Sequence, residues 1–310
     1  MGLLEIGAPF SIMTKTKTKT KTKTDALLID AKNSIYRAVY AGHSDSRFMA
    51  SGHDYVVVLF RFLYKYLTTF GPSSIHIFWD TPKSRIWRKS ILEEYKEGRD
   101  PNKHGFDADK EVKKCTKMAM QLFKHIGFNQ YQRDKIEADD LIYAFCKMNS
   151  KKDFNSIIIS SDGDFTQIPF AFDNVKLFNP LNKKNNGFVK VPEEDPVETK
   201  AFIGDKSDNV DGYYGIGPVK AKILVQDMKK RNEFFKDNDK LIFDRNRKLI
   251  DLSLCPDMAE NIFYIEEVLT EDCSFNGETL KRLAYEIRGL MSEYDRIISP
   301  YKFMIESQQK

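Results

Sequence analysis

A parallel α/β fold is predicted by two features of the chain. From Asp25 onward short β-branched runs alternate with helical patterns, and three of those runs end in aspartate. Ala26-Leu27-Leu28-Ile29 runs into Asp30, Ile75 to Trp79 runs into Asp80, and Ile157 to Ser161 runs into Asp162, Gly163 and Asp164. Ligands of open α/β sheets bind beyond the carboxyl ends of the strands, where these acids fall. The apolar pattern predicts helices over roughly 54–70, 109–126 and 138–149, with a further strand over Asn174 to Phe178. Asp195-Pro196 reads as an N-cap with a first-turn proline, opening a helix to about Ile203. Beyond Gly204, glycine-punctuated turns lead into a polar, helical C-terminal third, so a domain or subdomain boundary is expected near 185–195.

Composition narrows the class of protein. In 310 residues, 41% are hydrophobic and 30% charged, which excludes a disordered or collagen-like chain and allows one large domain or two modest ones. The apolar run Val56 to Phe60 is far short of a membrane span, so no membrane association is expected. Four cysteines form no close pair and no Cys-x-x-Cys; they read as reduced thiols of an intracellular, cytoplasmic protein, without a zinc site. The net charge of +4 arises entirely in residues 1–24, because the rest balances at 44 basic and 44 acidic side chains. The strict Thr-Lys alternation of Thr14 to Thr24 has nothing apolar to bury, and residues 1–24 are expected to be a disordered tail. Anion binding by the remainder must then rest on local segregation of charge.

The acids form separated clusters: Asp30; Asp80; Glu137, Asp139 and Asp140; Asp162 and Asp164; and Asp205 with Asp208 in Gly204-Asp-Lys-Ser-Asp-Asn209. Singly, each has an ordinary explanation, since acids favour helix starts and aspartates make turns. Together at one sheet edge they would repel severely unless cations neutralise them. Oxygen-only ligands select hard ions, so Mg²⁺ is expected, with Mn²⁺ as a substitute. Two such ions would serve phosphodiester hydrolysis. Phosphoacceptor and phosphatase α/β proteins are the alternatives on this chemistry alone.

Two further segments fit an anionic substrate. Between Pro82 and Lys103 stand seven bases and four acids with aromatics interleaved, among them Arg88, Tyr95, Lys96 and Arg99. They offer cations for a phosphate and a ring on which a base could stack, or else form a solvated loop. Arg37, beyond Asp30, offers the same. Gly215-Ile216-Gly217, followed by Lys220 and Lys222, lets backbone N–H groups approach a phosphate, although any tight turn would satisfy Gly-x-Gly.

Over residues 25–225 the chain resembles the 5′-nuclease (flap endonuclease) family, especially the phage ribonuclease H and 5′-3′ exonuclease proteins. The motifs are Ile158-Ile-Ser-Ser-Asp-Gly-Asp-Phe-Thr-Gln167, Glu137-Ala-Asp-Asp140, Glu94-Tyr-Lys-Glu-Gly-Arg99 and Gly204 to Asn209, in matching order and spacing. The resemblance implies a three-layer α/β/α fold with a mostly parallel sheet, an arch or clamp segment over about 82–110 within a 25–190 nuclease core, and a helical DNA-binding subdomain over 191–310 with a helix–hairpin–helix-type motif. It implies that Asp30, Asp80, Glu137, Asp139, Asp140 and Asp162 serve a first metal ion, and that Asp164, Asp205 and Asp208 complete a second. Lys96 and Arg99 would act on the scissile phosphate, Arg37 and Arg88 would contact phosphates, and the Gly215–Gly217 hairpin would hold duplex and a monovalent cation. The expected protein is a monomeric, stand-alone nuclease acting on DNA with a 5′ flap or on RNA–DNA duplex, with replication proteins as partners. The alternatives are a junction-binding protein without catalysis and a smaller, toxin-like ribonuclease. Residues 230–310 carry no matching motif.

Overall fold

The computed structural model describes residues 23–82, 85–97 and 106–308. The Thr-Lys tract up to Thr22, Arg99 and residues 98–105 of the expected arch lie outside them. The sheet consists of β1 (Ala26–Asp30), β2 (Ser74–Phe78), β3 (Asn129–Tyr131), β4 (Ser156–Ile159) and β5 (Val175–Phe178), in the order 3-2-1-4-5 with every pairing parallel. β1 is central: Leu27 registers with Ile75 on one side and Ile157 on the other. Its near-continuous apolar run follows from burial on both faces, Leu27 and Ile29 entering one layer and Ala26 and Leu28 the other.

The helices on the chain's first half are α1 (Ala31–Ser44), α2 (Ser46–Ser51), α3 (Val56–Phe70), α4 (Ala108–Ile126), α5 (Ala138–Asn149) and α6 (Gln167–Ala171). The second half adds α7 (Pro196–Ile203), a two-residue antiparallel pair β6 (Gly204–Asp205) and β7 (Val210–Asp211), then α8 (Pro218–Gln226), α9 (Met228–Asp237) and α10 (Lys240–Ile250). The chain ends in α11 (Met258–Thr270), α12 (Gly277–Glu286), α13 (Tyr294–Ile297) and α14 (Pro300–Gln308). The expected helices correspond to α3, α4, α5 and α7, and the expected late strand to β5. β3 left no sequence signal, because a three-residue polar edge strand has no alternation to detect.

The C-terminal third departs from its expected role as one subdomain. Residues 196–250 build a small core of their own around Phe202, Tyr213, Ala221, Leu224 and Phe243. By contrast, α11 packs on α5 and β3, α12 on α4, and α14 on β2 and α4. Leu280, Ala284, Ile287, Leu290, Ile297 and Tyr301 are buried in the layer that also holds α1, α3 and α4. The polar appearance of this third comes from outer faces, although Phe263, Tyr285 and Phe303 are exposed as well; its inward apolar positions enter the two layers of the sandwich. The expected boundary near 185–195 therefore sets off only the middle segment, and the last helices complete the α/β/α sandwich.

Tyr301 is the clearest test of that closure. It is fully buried, with its ring edge-on to Phe60 at 6.4 Å and to Phe128 at 5.1 Å. Its hydroxyl has no hydrogen-bond partner among the described residues. Tyr301→Ala is expected to cost about 3–5 kcal/mol in urea unfolding, as for other large aromatic truncations. Tyr301→Phe, which removes only an unpaired buried hydroxyl, should leave the midpoint equal or higher.

Candidate metal centre

The strand order reverses at β1, between β2 and β4, and the acids surround the carboxyl end of that point. Asp30 caps α1, accepting from the Asn33 N–H at 3.1 Å and from Ser160 Oγ at 3.0 Å. Asp80 follows β2 and accepts from Lys32 Nζ at 2.8 Å and from the Ala138 N–H at 3.0 Å, which ties it to the start of α5. Glu137 is the N-cap of α5, with Asp139 and Asp140 in its first turn. Asp162 caps a 3₁₀ turn, Gly163–Thr166. Asp30, Asp80, Glu137, Asp139 and Asp162 line one cleft of about 210 Å³, together with Lys32 and Lys96. Asp139 also borders a neighbouring hollow lined by Asp164, Asp205 and Asp208. Within each of two trios, Glu137 with Asp139 and Asp140, and Asp164 with Asp205 and Asp208, one oxygen per residue lies within 4.8 Å of the others.

Backbone packing fixes the second trio. Gly204 (φ 79°) and Gly212 face each other across the β6–β7 pair, and a Cβ on either would come within 2.6 Å of the other's amide nitrogen. Only glycines allow this closure. It holds Asp205 and Asp208 at the two ends of one tight turn, where the Asp208 N–H donates to the Asp205 carbonyl at 3.1 Å. The segment Glu94–Lys96 grips that turn. Lys96 N–H donates to the Asp208 carbonyl at 2.9 Å, Asn209 donates to the Glu94 carbonyl at 3.0 Å, and Tyr95 Oη donates to Asp208 Oδ2 at 2.8 Å. Lys96 adopts φ 59°, an uncommon backbone for a lysine, and its Nζ ion-pairs with Glu137 and lies 3.6 Å from Asp208. The ammonium thus stands between the two trios.

Charge crowding shifts the acids. Burial, with Asp80 and Asp162 nearby, pushes the Asp30 carboxyl up to about 7. Burial, then repulsion from Asp140 and Glu137, raises Asp139 well above the usual carboxylate range. Burial raises Asp164 to about 6, with Lys200 acting against it. Asp80 goes the other way: burial opposes its charge, but Lys32, Lys96 and its hydrogen bonds outweigh that and lower it. Burial also opposes the charge on Lys96, yet Glu137 and its neighbouring acids keep the ammonium protonated.

Several expected site residues sit elsewhere. Arg88, expected on a phosphate, is 1% exposed and fully committed. Its guanidinium donates to both oxygens of Asp140 at 2.8 Å, to Glu137 at 2.7 Å and to the Leu249 carbonyl at 2.8 Å. Asp140, expected to hold metal, is fully buried and has its oxygens taken by Arg88 and by Trp87 Nε1 at 2.9 Å. Tyr95, expected to stack on a base, is buried with Ile86, Val210 and Leu249. Arg37 lies over Phe62 (4.6 Å) and near Tyr66 (5.6 Å) in the layer between α1 and α3, outside the residues lining the cleft. Ile86, Arg88 and Tyr95 are buried, and residues 85–97 of the expected helical arch form a 3₁₀ turn at Trp87–Ser90 and further turns; α-helix begins only at Ala108, where α4 starts. Gly215 (φ 70°) and Gly217 sit on an open hairpin leading into α8; Lys220 is exposed, and Lys222 pairs with Glu194 at 2.5 Å.

Two cations of the centre went unmarked in the sequence reading: Lys32, on Asp80, and Lys200, which ion-pairs with both Asp164 and Asp205. A signal existed for Lys32. A lysine in the first turn of a helix opposes the macrodipole, so its presence there implies an acidic partner from another element.

The donor set, all carboxylate oxygen with more acids than internal cations, fits hard divalent ions. The family described as "5′-3′ exonuclease, N-terminal resolvase-like domain" matches residues 25–201, and the chain belongs to that family. It is 29% identical over 219 residues to the 5′-3′ exonuclease of Mycoplasma genitalium, covering 65% of this chain and 71% of that one. It is 34% identical over 155 residues to the ribonuclease H of Enterobacteria phage T4, covering 48% and 50%. The bacteriophage T5 D15 flap endonuclease, solved as a pseudo-enzyme-product complex with DNA and metal ions, shares the fold with a TM-score of 0.60 and 19% identity, covering 86% of this chain and 99% of that one. The protein is accordingly a nuclease of the 5′-3′ exonuclease class.

The raised carboxyls predict proton-coupled cation binding. Asp30 and Asp164 keep their protons below about 7 and about 6. A folded-state acid raised this way costs stability as pH climbs from the unfolded value through the folded one. Divalent-cation affinity should then rise between pH 6 and pH 8. Calorimetric titrations with Mg²⁺ in two buffers of different ionisation enthalpy should detect proton release at pH 6.5 and little at pH 8.5; none at pH 6.5 would contradict the assignment.

Proposed function

We propose that this protein is a Mg²⁺-dependent, structure-dependent 5′→3′ nuclease that cleaves phosphodiesters of DNA flaps and RNA primers near a single-strand junction. The observation that carries the reading is the convergence of Asp30, Asp80, Glu137, Asp139 and Asp162 on one cleft and of Asp164, Asp205 and Asp208 on its neighbour, with the Lys96 ammonium between them. Asp30, Asp80, Glu137, Asp139 and Asp162 would hold one ion, and Asp164, Asp205 and Asp208 a second. Bound there, the ions would supply Lewis acidity and water activation at the phosphodiester.

The chain's own residues do the rest. Lys96 is held protonated, reaches both trios and keeps 15% of its side chain exposed, so it can orient and polarise a phosphate entering between them. Arg88 and Asp140 act from within the protein: their buried fork fixes the start of α5 and so holds Glu137 and Asp139 at the cleft. Past Asp80 and Tyr36 the cleft opens into a groove of about 620 Å³ lined in part by Lys113, Lys117 and Met120. Its mix of cations and apolar surface suits a nucleic-acid strand whose phosphates and bases need different partners. The open Gly215–Gly217 turn with Lys220 suits sequence-independent contact with a duplex backbone, and the same turn would hold a monovalent cation. Such contacts read the backbone rather than bases, which accords with recognition of a junction.

The test uses a 5′-labelled nicked flap DNA and a matching RNA-primed duplex, in Mg²⁺ or in chelator. Short 5′ products that disappear with chelator are expected on both substrates. Asp139→Asn should abolish them, and Lys96→Ala should slow single-turnover cleavage by about 100-fold or more with a modest loss of affinity. Metal-independent cleavage, or an Asp139→Asn variant with full activity, would overturn the proposal.

A further inference from the structure

Lys200 stands in the last turn of α7, and its Nζ ion-pairs with Asp164 Oδ1 and with Asp205 Oδ2. Those are two of the three carboxylates of the second trio. An ammonium is a donor only, so each contact occupies oxygen lone pairs that a divalent ion at the same place would require. The first trio is arranged differently. The cations on it reach Glu137 and Asp140, while Asp139 accepts from the Asp140 N–H at 2.8 Å and has no ion pair among the described residues. Asp139, with Asp30 and Asp162 in the same cleft, thus has no ion pair among the described residues, whereas in the second trio Asp164 and Asp205 share Lys200 and Asp208 has Lys96 at 3.6 Å. Lys200 has a way out, since its side chain is 27% exposed at the protein surface.

We infer that Lys200 is an internal counter-ion that competes with the second divalent cation. It holds Asp164 and Asp205 together in the metal-free protein and must withdraw before an ion enters between them. The two groups then fill in order, the Asp139 group first, and the second site responds to a higher ion concentration than the first. Lys200 is here a positioning residue with respect to the metal, whatever it touches once substrate is present. The inference rests on the reading above that both groups of carboxylates take divalent ions.

The experiment is a Mn²⁺ titration of the metal-stripped full chain without DNA, with the free ion followed by its paramagnetic resonance signal. The native chain should show one tight and one weaker Mn²⁺. Lys200→Met should tighten the weaker class about 10-fold or more, since an equal charge leaves the site, and hold the tight class within about 3-fold. Lys200→Arg, which keeps the charge, should leave the weaker class weak. Thermal unfolding in chelator supplies a second readout: Lys200→Met should melt below the native chain, and saturating Mn²⁺ should close that gap. A weaker class that is unchanged or weakened in Lys200→Met would overturn the role of Lys200 and leave the two-group reading standing. A single Mn²⁺ in every protein would overturn both.

Discussion

Mutual repulsion among carboxylates at one edge of a parallel sheet governs the architecture of this protein. Asp30, Asp80, Glu137, Asp139, Asp162, Asp164, Asp205 and Asp208 converge from five separate chain segments on two adjoining hollows. Left uncompensated, that repulsion would drive them apart. Lys32, Arg88, Lys96 and Lys200 each pair with at least one of them and offset part of the cost. The offset is incomplete, as the raised carboxyls of Asp30, Asp139 and Asp164 record.

The four cations divide the labour by burial. Arg88 is sealed beneath α5, and its fork on Asp140 is a fixed structural joint; leaving such a buried charge without its partner costs about 3–5 kcal/mol. Lys96, Lys32 and Lys200 are partly exposed and stay within reach of a ligand. With Ile86 and Tyr95, which are also buried, the same joint anchors the segment after Asp80 at three points. Of the last helices, α12 to α14 close the layer that carries α1, α3 and α4, and α11 packs on α5 in the other.

Much of this was legible in the sequence. Strand runs ending in aspartate located β1, β2 and β4, and the site acids followed because a strand end fixes which edge a residue joins. What escaped were features that depend on direction. Nothing local separates Asp139, which faces the cleft, from Asp140, which turns inward, since both stand in one helix turn. Arg88 and Tyr95 read as surface residues of a charged segment, and only the partners supplied by α5, β7 and α10 show them to be buried. Lys200 is an ordinary last-turn lysine until β6 brings Asp205 beside it. The C-terminal helices were misjudged because their polar outer faces outnumber the inner apolar positions that join the sandwich.

Repulsion at the site is read most directly by thermal unfolding of the native chain and of Asp139→Asn at pH 8, each in chelator and in Mg²⁺ at matched ionic strength. If uncompensated repulsion governs the site, Asp139→Asn melts above the native chain in chelator. Mg²⁺ then raises the native melting temperature by more than it raises that of the variant. A native chain indifferent to Mg²⁺, together with an Asp139→Asn variant that melts lower in chelator, would contradict the account.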